Sequence, residues 1–312
     1  AAFGSIAGIT EQDGWQEIEP DQFGDWLNQR DPFFDTYMVM GEKRGNKAQV
    51  FDNFSLGVST NRDAWAYNSS RTKLEDNMSR MIDFYNDEVE RFNSVHPRLD
   101  KKGREKVLND FIDTNPECIS WTVNLKQELA KNRTFEYEKA SEFISLYRPF
   151  TKRWMYFNRA FNERVLQMPK VFPEAGIENL AICLTLAGTK GFSVLMSDML
   201  PDLHLIGDAQ CFPFYLYDLN EDQPDNLLSQ GGGPGYERKD AITDDALEHF
   251  QAAYPGSTIN KEDVFYYVYG LLHSEEYRER YADNLIKQLP RIPRMKHYAD
   301  FAAFAQAGRD LA

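Results

Sequence analysis

The chain has 312 residues, 42% of them hydrophobic, and a formal net charge of −14. That length accommodates one large domain or two ordinary ones with a real core, and no apolar run approaches the roughly 20 residues that cross a bilayer. The acidity argues against a nonspecific polyanion binder and restricts any nucleic-acid contact to a local basic cleft, since salt screens exposed charges beyond about 8 Å.

The chain opens at Ala1 rather than Met and runs straight into domain-like sequence, which predicts a segment of a longer polypeptide without a signal peptide. Cys118, Cys183 and Cys211 are odd in number and widely spaced. They form neither a metal-ligand pattern nor a disulfide framework, as expected in a reducing cytoplasm.

Residues 1–50 read as a lead-in or connector to an upstream domain, with Trp15, Phe23, Trp26, Phe33, Phe34 and Tyr37 as scattered anchors. Residues 51–68 contain a strand-like piece ending Ala64-Trp65-Ala66-Tyr67-Asn68, after the turn-prone Gly57 and the polar run Thr60-Asn61-Arg62-Asp63. The clearest helix follows, because Leu74, Met78, Met81, Ile82, Tyr85, Val89 and Phe92 recur at spacings of three and four. Thr72 is its expected cap and Pro97 its stop. Shorter helices are predicted over 101–112 and 125–132.

From Tyr147 to Lys170 the character reverses. Six bases (Arg148, Lys152, Arg153, Arg159, Arg164, Lys170) face one acid, Glu163, and six aromatics are interleaved with them. Guanidinium and ammonium groups suit phosphate oxygens, and an arginine can fork onto a guanine edge. The plainer alternative is a strand and turn with core aromatics and solvated or paired cations. Strand alternation forbids Trp154, Tyr156 and Phe157 from all facing one groove. Arg148 precedes a proline and is biased to extended backbone, so bracing the strand is its alternative role.

Runs at 181–187, 192–196, 203–207 and 211–217 have strand length and hairpin punctuation at Gly188 and Gly191. Between Asp198 and Asp245 eleven acids face two bases, Arg238 and Lys239, so this part of the surface repels DNA. Residues 220–245 read as an acidic, glycine-rich loop held away from DNA; no Lys-Ser/Thr follows its glycines, so it is no phosphate loop. The C-terminal part is helical, with stripes Val264–Leu272 and Tyr277–Leu289 stopped by Pro290 and Pro293. The fold expected is α+β, with helices in the first half, antiparallel β-hairpins in the middle and a helical C-terminal segment.

Catalytic signatures are missing. The five histidines are dispersed, and His204, in an expected apolar strand, reads as a hydrogen-bonded core residue. Neither a nucleophile elbow nor a nucleotide-binding glycine fingerprint occurs. Asn115-Pro116-Glu117-Cys118 lacks the second proline and aromatic with which an amino-methyltransferase stacks a flipped base.

Several blocks together resemble the C-terminal target-recognition (specificity) domain of type ISP restriction-modification enzymes, which join nuclease, helicase-like ATPase, methyltransferase and recognition domains. They are Phe51-Asp52-Asn53-Phe54-Ser55-Leu56-Gly57 through Trp65, Tyr147-Arg148-Pro149-Phe150 through Phe157, and Pro201-Asp202-Leu203-His204-Leu205 with Phe212-Pro213-Phe214-Tyr215. Tyr266 through Tyr281 and Leu289-Pro290-Arg291-Ile292-Pro293 complete the set. The resemblance implies sequence-specific recognition of double-stranded DNA, directing adenine methylation and ATP-driven translocation and cleavage by other domains. It brings no catalytic residues and no cofactor to this chain; S-adenosylmethionine, ATP and Mg belong to the parent enzyme. Its implied partners are duplex DNA and the methyltransferase domain of the same polypeptide, in the bacterial cytoplasm with no membrane.

On this reading residues 51–260 form the target-recognition domain and 261–312 a C-terminal helical subdomain. The candidate DNA contacts are Asn61, Arg62, Arg148, Lys152, Arg153, Arg159 and Lys170. For Asn61-Arg62-Asp63 the alternative is a local turn with an Arg–Asp pair. Two rival functions remain: a protein-interaction or scaffolding domain, marked by a basic segment buried against its own acids, and a small hydrolase using Asp198, Asp202 and His204 in one open pocket.

Overall fold

A computed structural model describes residues 18–43, 48–185, 187–188, 191–219 and 235–312. A 3-10 turn, Pro32–Thr36, and strand β1 (Met38–Val39) lead to β2 (Ser55–Leu56), the one-turn helix α1 (Asp63–Ala66) and β3 (Tyr67–Asn68). Helices α2 (Arg71–Val95), α3 (Lys101–Phe111) and α4 (Val123–Ala130) precede the hairpin of β4 (Glu142–Arg148) and β5 (Thr151–Tyr156). Next come α5 (Met168–Val171), β6 (Ala181–Thr185), β7 (Val194–Ser197), β8 (Leu200–Pro201), β9 (Ala209–Pro213), β10 (Tyr215–Leu219) and β11 (Tyr236–Asp240). Last are α6 (Asp244–Ala253), α7 (Lys261–His273), α8 (Glu275–Arg280), α9 (Ala282–Lys287), β12 (Arg291–Ile292) and α10 (Tyr298–Leu311). The fold is α+β.

The α2 stripe is buried from Leu74 to Phe92 as its period demands, and His96 closes the helix before Pro97. Its N-cap is Ser70 rather than Thr72: the Ser70 hydroxyl accepts from the Lys73 amide at 3.4 Å. Leu108, Leu125 and Leu129 of α3 and α4 pack on this stripe with Tyr156 and Phe161.

Two four-stranded sheets form the middle. One has the order β2-β9-β6-β7, antiparallel throughout, with Cys183 directly opposite Cys211. The other has the order β3-β5-β4-β8, in which β8 runs parallel to β4.

Three expected elements differ. Ala64–Asn68 is a helical turn entering a two-residue strand. Leu203–Gly207 is a turn, because the Asp202 carboxylate accepts the His204 amide at 2.8 Å and Gly207 takes a φ of 85°. His204 is consequently exposed, with Nδ1 3.2 Å from Asp208, and is not a core residue. Of the expected acidic loop, 220–234 lie outside the described residues; 236–240 are strand β11, paired with β10, and α6 begins at Asp244.

A large cluster joins Phe34 and Met40 of the lead-in to Phe51, Phe212, Phe250, Phe265, Tyr267, Leu272 and Phe301. The boundaries expected at 50 and 260 therefore fall inside one shared core. Among the lead-in anchors Phe34 is buried, whereas Trp26 and Phe33 are exposed, and Trp15 lies outside the described residues. β1 pairs with β12, and Asn284 bonds both the amide and the carbonyl of Asp31, tying the lead-in to the C-terminal helices. α7, opened by an Asn260/Asp263 capping box, crosses α10 at Gly270 and Gly308. A Cβ on Gly308 would sit 2.8 Å from the Tyr266 carbonyl carbon, so only glycine permits this approach.

Candidate nucleic-acid interface

The structure divides the basic segment into paired and unpaired halves. Pairing of β4 with β5 puts Ser145 opposite Arg153 and Leu146 opposite Lys152, so Arg153 and Lys152 point to opposite faces. On the Arg153 face lies a closed polar network. Arg148 Nη1 donates to Asp202 at 2.6 Å and Nη2 lies 3.8 Å from Asp63. Tyr67 Oη donates to the other Asp202 oxygen at 3.0 Å, and Tyr147 Oη donates to Asp63 at 3.0 Å. The guanidinium carbons of Arg148 and Arg153 sit 3.9 and 4.4 Å from the centroid of the Tyr147 ring. Burial pushes the Asp202 carboxyl up, against the opposing pull of the His204 amide, Tyr67 and Arg148.

This network corrects two expectations. Arg148 is committed to carboxylates of its own chain, the bracing alternative, and is withdrawn as a DNA contact. Asp202 is 2% exposed and bonded on both oxygens, His204 pairs with Asp208, and Asp198 faces a different cavity, so the three do not converge as a hydrolase requires. Among the described residues no group of three or more His, Cys, Asp or Glu could hold a metal ion.

Arg62 is also not a surface contact. Asn61 takes a left-handed φ of 51°, which turns the chain inward, and Arg62 caps α1 at 3% exposure. Its Nη2 donates to Thr122 at 2.6 Å, while Nε and Nη1 have no partner. Burial lowers its pKa to about 10, and Glu163 works in the opposite direction. Lys170 is exposed but pairs with Asp218 at 3.0 Å. Arg153 is half-buried with its Nε unpartnered.

Lys152, Arg159 and Arg164 are exposed, and none has an ion pair among the described residues. Arg159 and Arg164 line a concavity of about 570 Å³ with Lys131 and Arg133, which follow the C-terminal end of α4. Glu128 engages Lys131 and Arg133 at 2.6 and 3.1 Å, and Glu163 is the other acid of the wall, so bases outnumber acids by four to two. Asn124 holds the wall by donating to the carbonyls of Asn162 and Glu163. Arg164 exchanges both backbone bonds with Ser59, two residues before the exposed Asn61, whose Oδ1 accepts from the Ser59 hydroxyl at 3.2 Å. Unpaired guanidinium groups over a concave wall can take phosphate oxygens, and an exposed Asn can bond an adenine edge in two places.

Lys131 and Arg133 were not legible as part of this group, since they come from another element. By contrast, a second cavity, about 890 Å³ between the Lys152 face of the hairpin and residues 174–180, sets five acids against the three bases Arg71, Lys152 and Arg238. Its walls include Glu174, Glu178, Asp198 and Glu262. It does not suit a phosphate backbone.

The tip of the hairpin is the second unusual surface. Phe150 is 91% exposed and adopts a φ of 62°. Of the six non-glycine residues with positive φ among those described, four are Asn or Asp, which tolerate this region; the others are Phe150 and Leu166. For such residues the left-handed conformation costs on the order of 1 kcal/mol.

Residues 49–312 match the family of the Type ISP C-terminal specificity domain. The chain belongs to that family. Three solved structures resemble it closely. A nuclease-deletion mutant of the Type ISP restriction-modification enzyme LlaGI, in complex with a DNA substrate mimic, is 33% identical over 95% of the chain, with a TM-score of 0.75. The ATP-dependent Type ISP enzyme LlaBIII bound to DNA is 34% identical over 93%, with a TM-score of 0.75. The DrdV–DNA complex is 33% identical over 96%, with a TM-score of 0.76. The chain spans 21%, 17% and 27% of those three proteins respectively. Comparison with curated proteins returned no match. Among the described residues no helix is long and apolar enough to cross a membrane.

Proposed function

We propose that this specificity domain recognises a sequence in double-stranded DNA and thereby directs chemistry performed by other parts of its polypeptide. The observation that carries the reading is the concavity of Lys131, Arg133, Arg159 and Arg164, where the Arg159 and Arg164 side chains have no ion pair among the described residues although the whole chain carries a charge of −14. In it, phosphate contacts fix the register of the duplex, and the exposed Asn61 reads a base edge. The DNA-bound state of relatives at 33–34% identity supports the same assignment.

The domain itself performs no methyl transfer, cleavage or ATP hydrolysis. A methyltransferase domain of the same polypeptide would bind S-adenosylmethionine, and the motor ATP and Mg, in the bacterial cytoplasm. Scaffolding is disfavoured because only part of the basic segment, Arg148 and Lys170, is neutralised by its own acids. The test is a salt titration of duplex binding by the intact polypeptide with Arg159→Ala and Arg164→Ala. Each phosphate contact removed weakens binding to all sequences alike and makes the log–log salt slope shallower by about 0.9. Unchanged affinity and slope in both variants would exclude the concavity as the DNA surface.

A further inference from the structure

We propose that Phe150 is a wedge that enters the base stack of the bound duplex, an inference resting on the DNA-recognition reading. Five observations converge on the hairpin tip. Phe150 is 91% exposed, the most exposed of the large hydrophobic residues described. It is held at a φ of 62°, where a phenylalanine has no local hydrogen bond to compensate it. Pro149 beside it is exposed too, so the tip presents two apolar side chains in sequence, both of the kind that enter base steps.

The base of the hairpin is anchored: its register shifts between Leu146 and Arg148, and Arg148 is held by Asp202, by Asp63 and by its stack on Tyr147. The fifth observation concerns the occupant. Lys152, two residues beyond the tip, is exposed with no ion pair among the described residues; it also stands in the wall of the cavity of about 890 Å³, and Pro149 shares a smaller concavity with Asp208. A cation beside an exposed ring matches a polyanion that offers flat apolar faces.

The test uses the intact polypeptide and duplexes carrying 2-aminopurine at successive positions through the bound site. With the unmodified protein, fluorescence rises at one step, where the stack opens. Phe150→Trp keeps that rise, and Phe150→Gly abolishes it with a loss of affinity of roughly tenfold, the scale of one aromatic–base stack. Glycine accepts the left-handed backbone, so Phe150→Gly melts no lower than the unmodified protein and its defect is not misfolding. Binding by the unmodified protein, with no position brightening and Phe150→Gly of full affinity, overturns the wedge and leaves DNA recognition standing. Lost affinity without any brightening means that the tip touches the duplex without opening the stack and also overturns the wedge. No binding of any duplex by the unmodified protein overturns both.

Discussion

Replacing Arg148 by alanine is expected to damage the fold and spare the DNA affinity of what remains folded. Asp202, at 2% exposure, would lose its only cation within 4 Å among the described residues and keep the Tyr67 hydroxyl and the His204 amide as donors. Breaking a fully buried pair from one side costs about 3–5 kcal/mol. Arg148 is 35% exposed, so water already screens part of its charge, and the expected loss falls to about 2 kcal/mol. In a chain this large that lowers the Tm by roughly 4 °C. Asp202→Asn should lower the loss when combined with Arg148→Ala, because the buried charge is then gone, so the double variant is more stable than the sum of the singles. Thermal melts by circular dichroism and anisotropy titrations well below Tm separate the two readouts. A tenfold loss of affinity with an unchanged Tm would refute the bracing role and return Arg148 to the DNA surface.

Gly308→Ala forces α10 away from α7 and is expected to cost about 1–3 kcal/mol, read as a lower urea midpoint; an unchanged midpoint would mean the helices separate freely. Lys170→Ala removes an exposed pair with Asp218 and should change stability by less than about 1 kcal/mol, with duplex affinity unaltered. Burial pushes the imidazoles of His249 and His273 below the usual histidine range, with Arg294 and Arg278 acting in the same direction. The unfolded chain therefore takes up more protons than the folded one as pH falls below about 6.5, and stability decreases through that window. Urea midpoints at pH 7.5 and 5.5 should show the drop, and His273→Gln should reduce it.

Legibility followed sequence distance. The α2 stripe was readable because a 3.6-residue period repeated over seven apolar positions, and β6 and β7 because their turn glycines lay close by. Arg148–Asp202 and Lys170–Asp218 connect residues 54 and 48 positions apart, so their neutralisation could not be seen in a local charge run. Arg62 misled for a local reason: Asn-Arg-Asp after a turn looks solvated, yet the left-handed Asn61 sends the arginine under Thr122. Leu203–Gly207 had strand composition, and one Asp202 hydrogen bond to the His204 amide converted it to a turn. Of the expected contacts, Asn61, Lys152, Arg159 and Lys170 lie on the surface, Lys170 paired with Asp218; the basic partners across the concavity needed the tertiary fold.

The pairing of β1 with β12 has a mechanical consequence. A load applied to the lead-in would pass at Met38–Val39 straight into Arg291–Ile292, and from there into the cluster of Phe34, Tyr267 and Phe301 closed by the glycine crossing. The β4–β5 hairpin is built into two other clusters, through Tyr156 in one and Met155 in the other. The lead-in and the hairpin are thus anchored in different hydrophobic clusters, linked through the β2-β9-β6-β7 sheet, whose alternate side chains enter one cluster and the other.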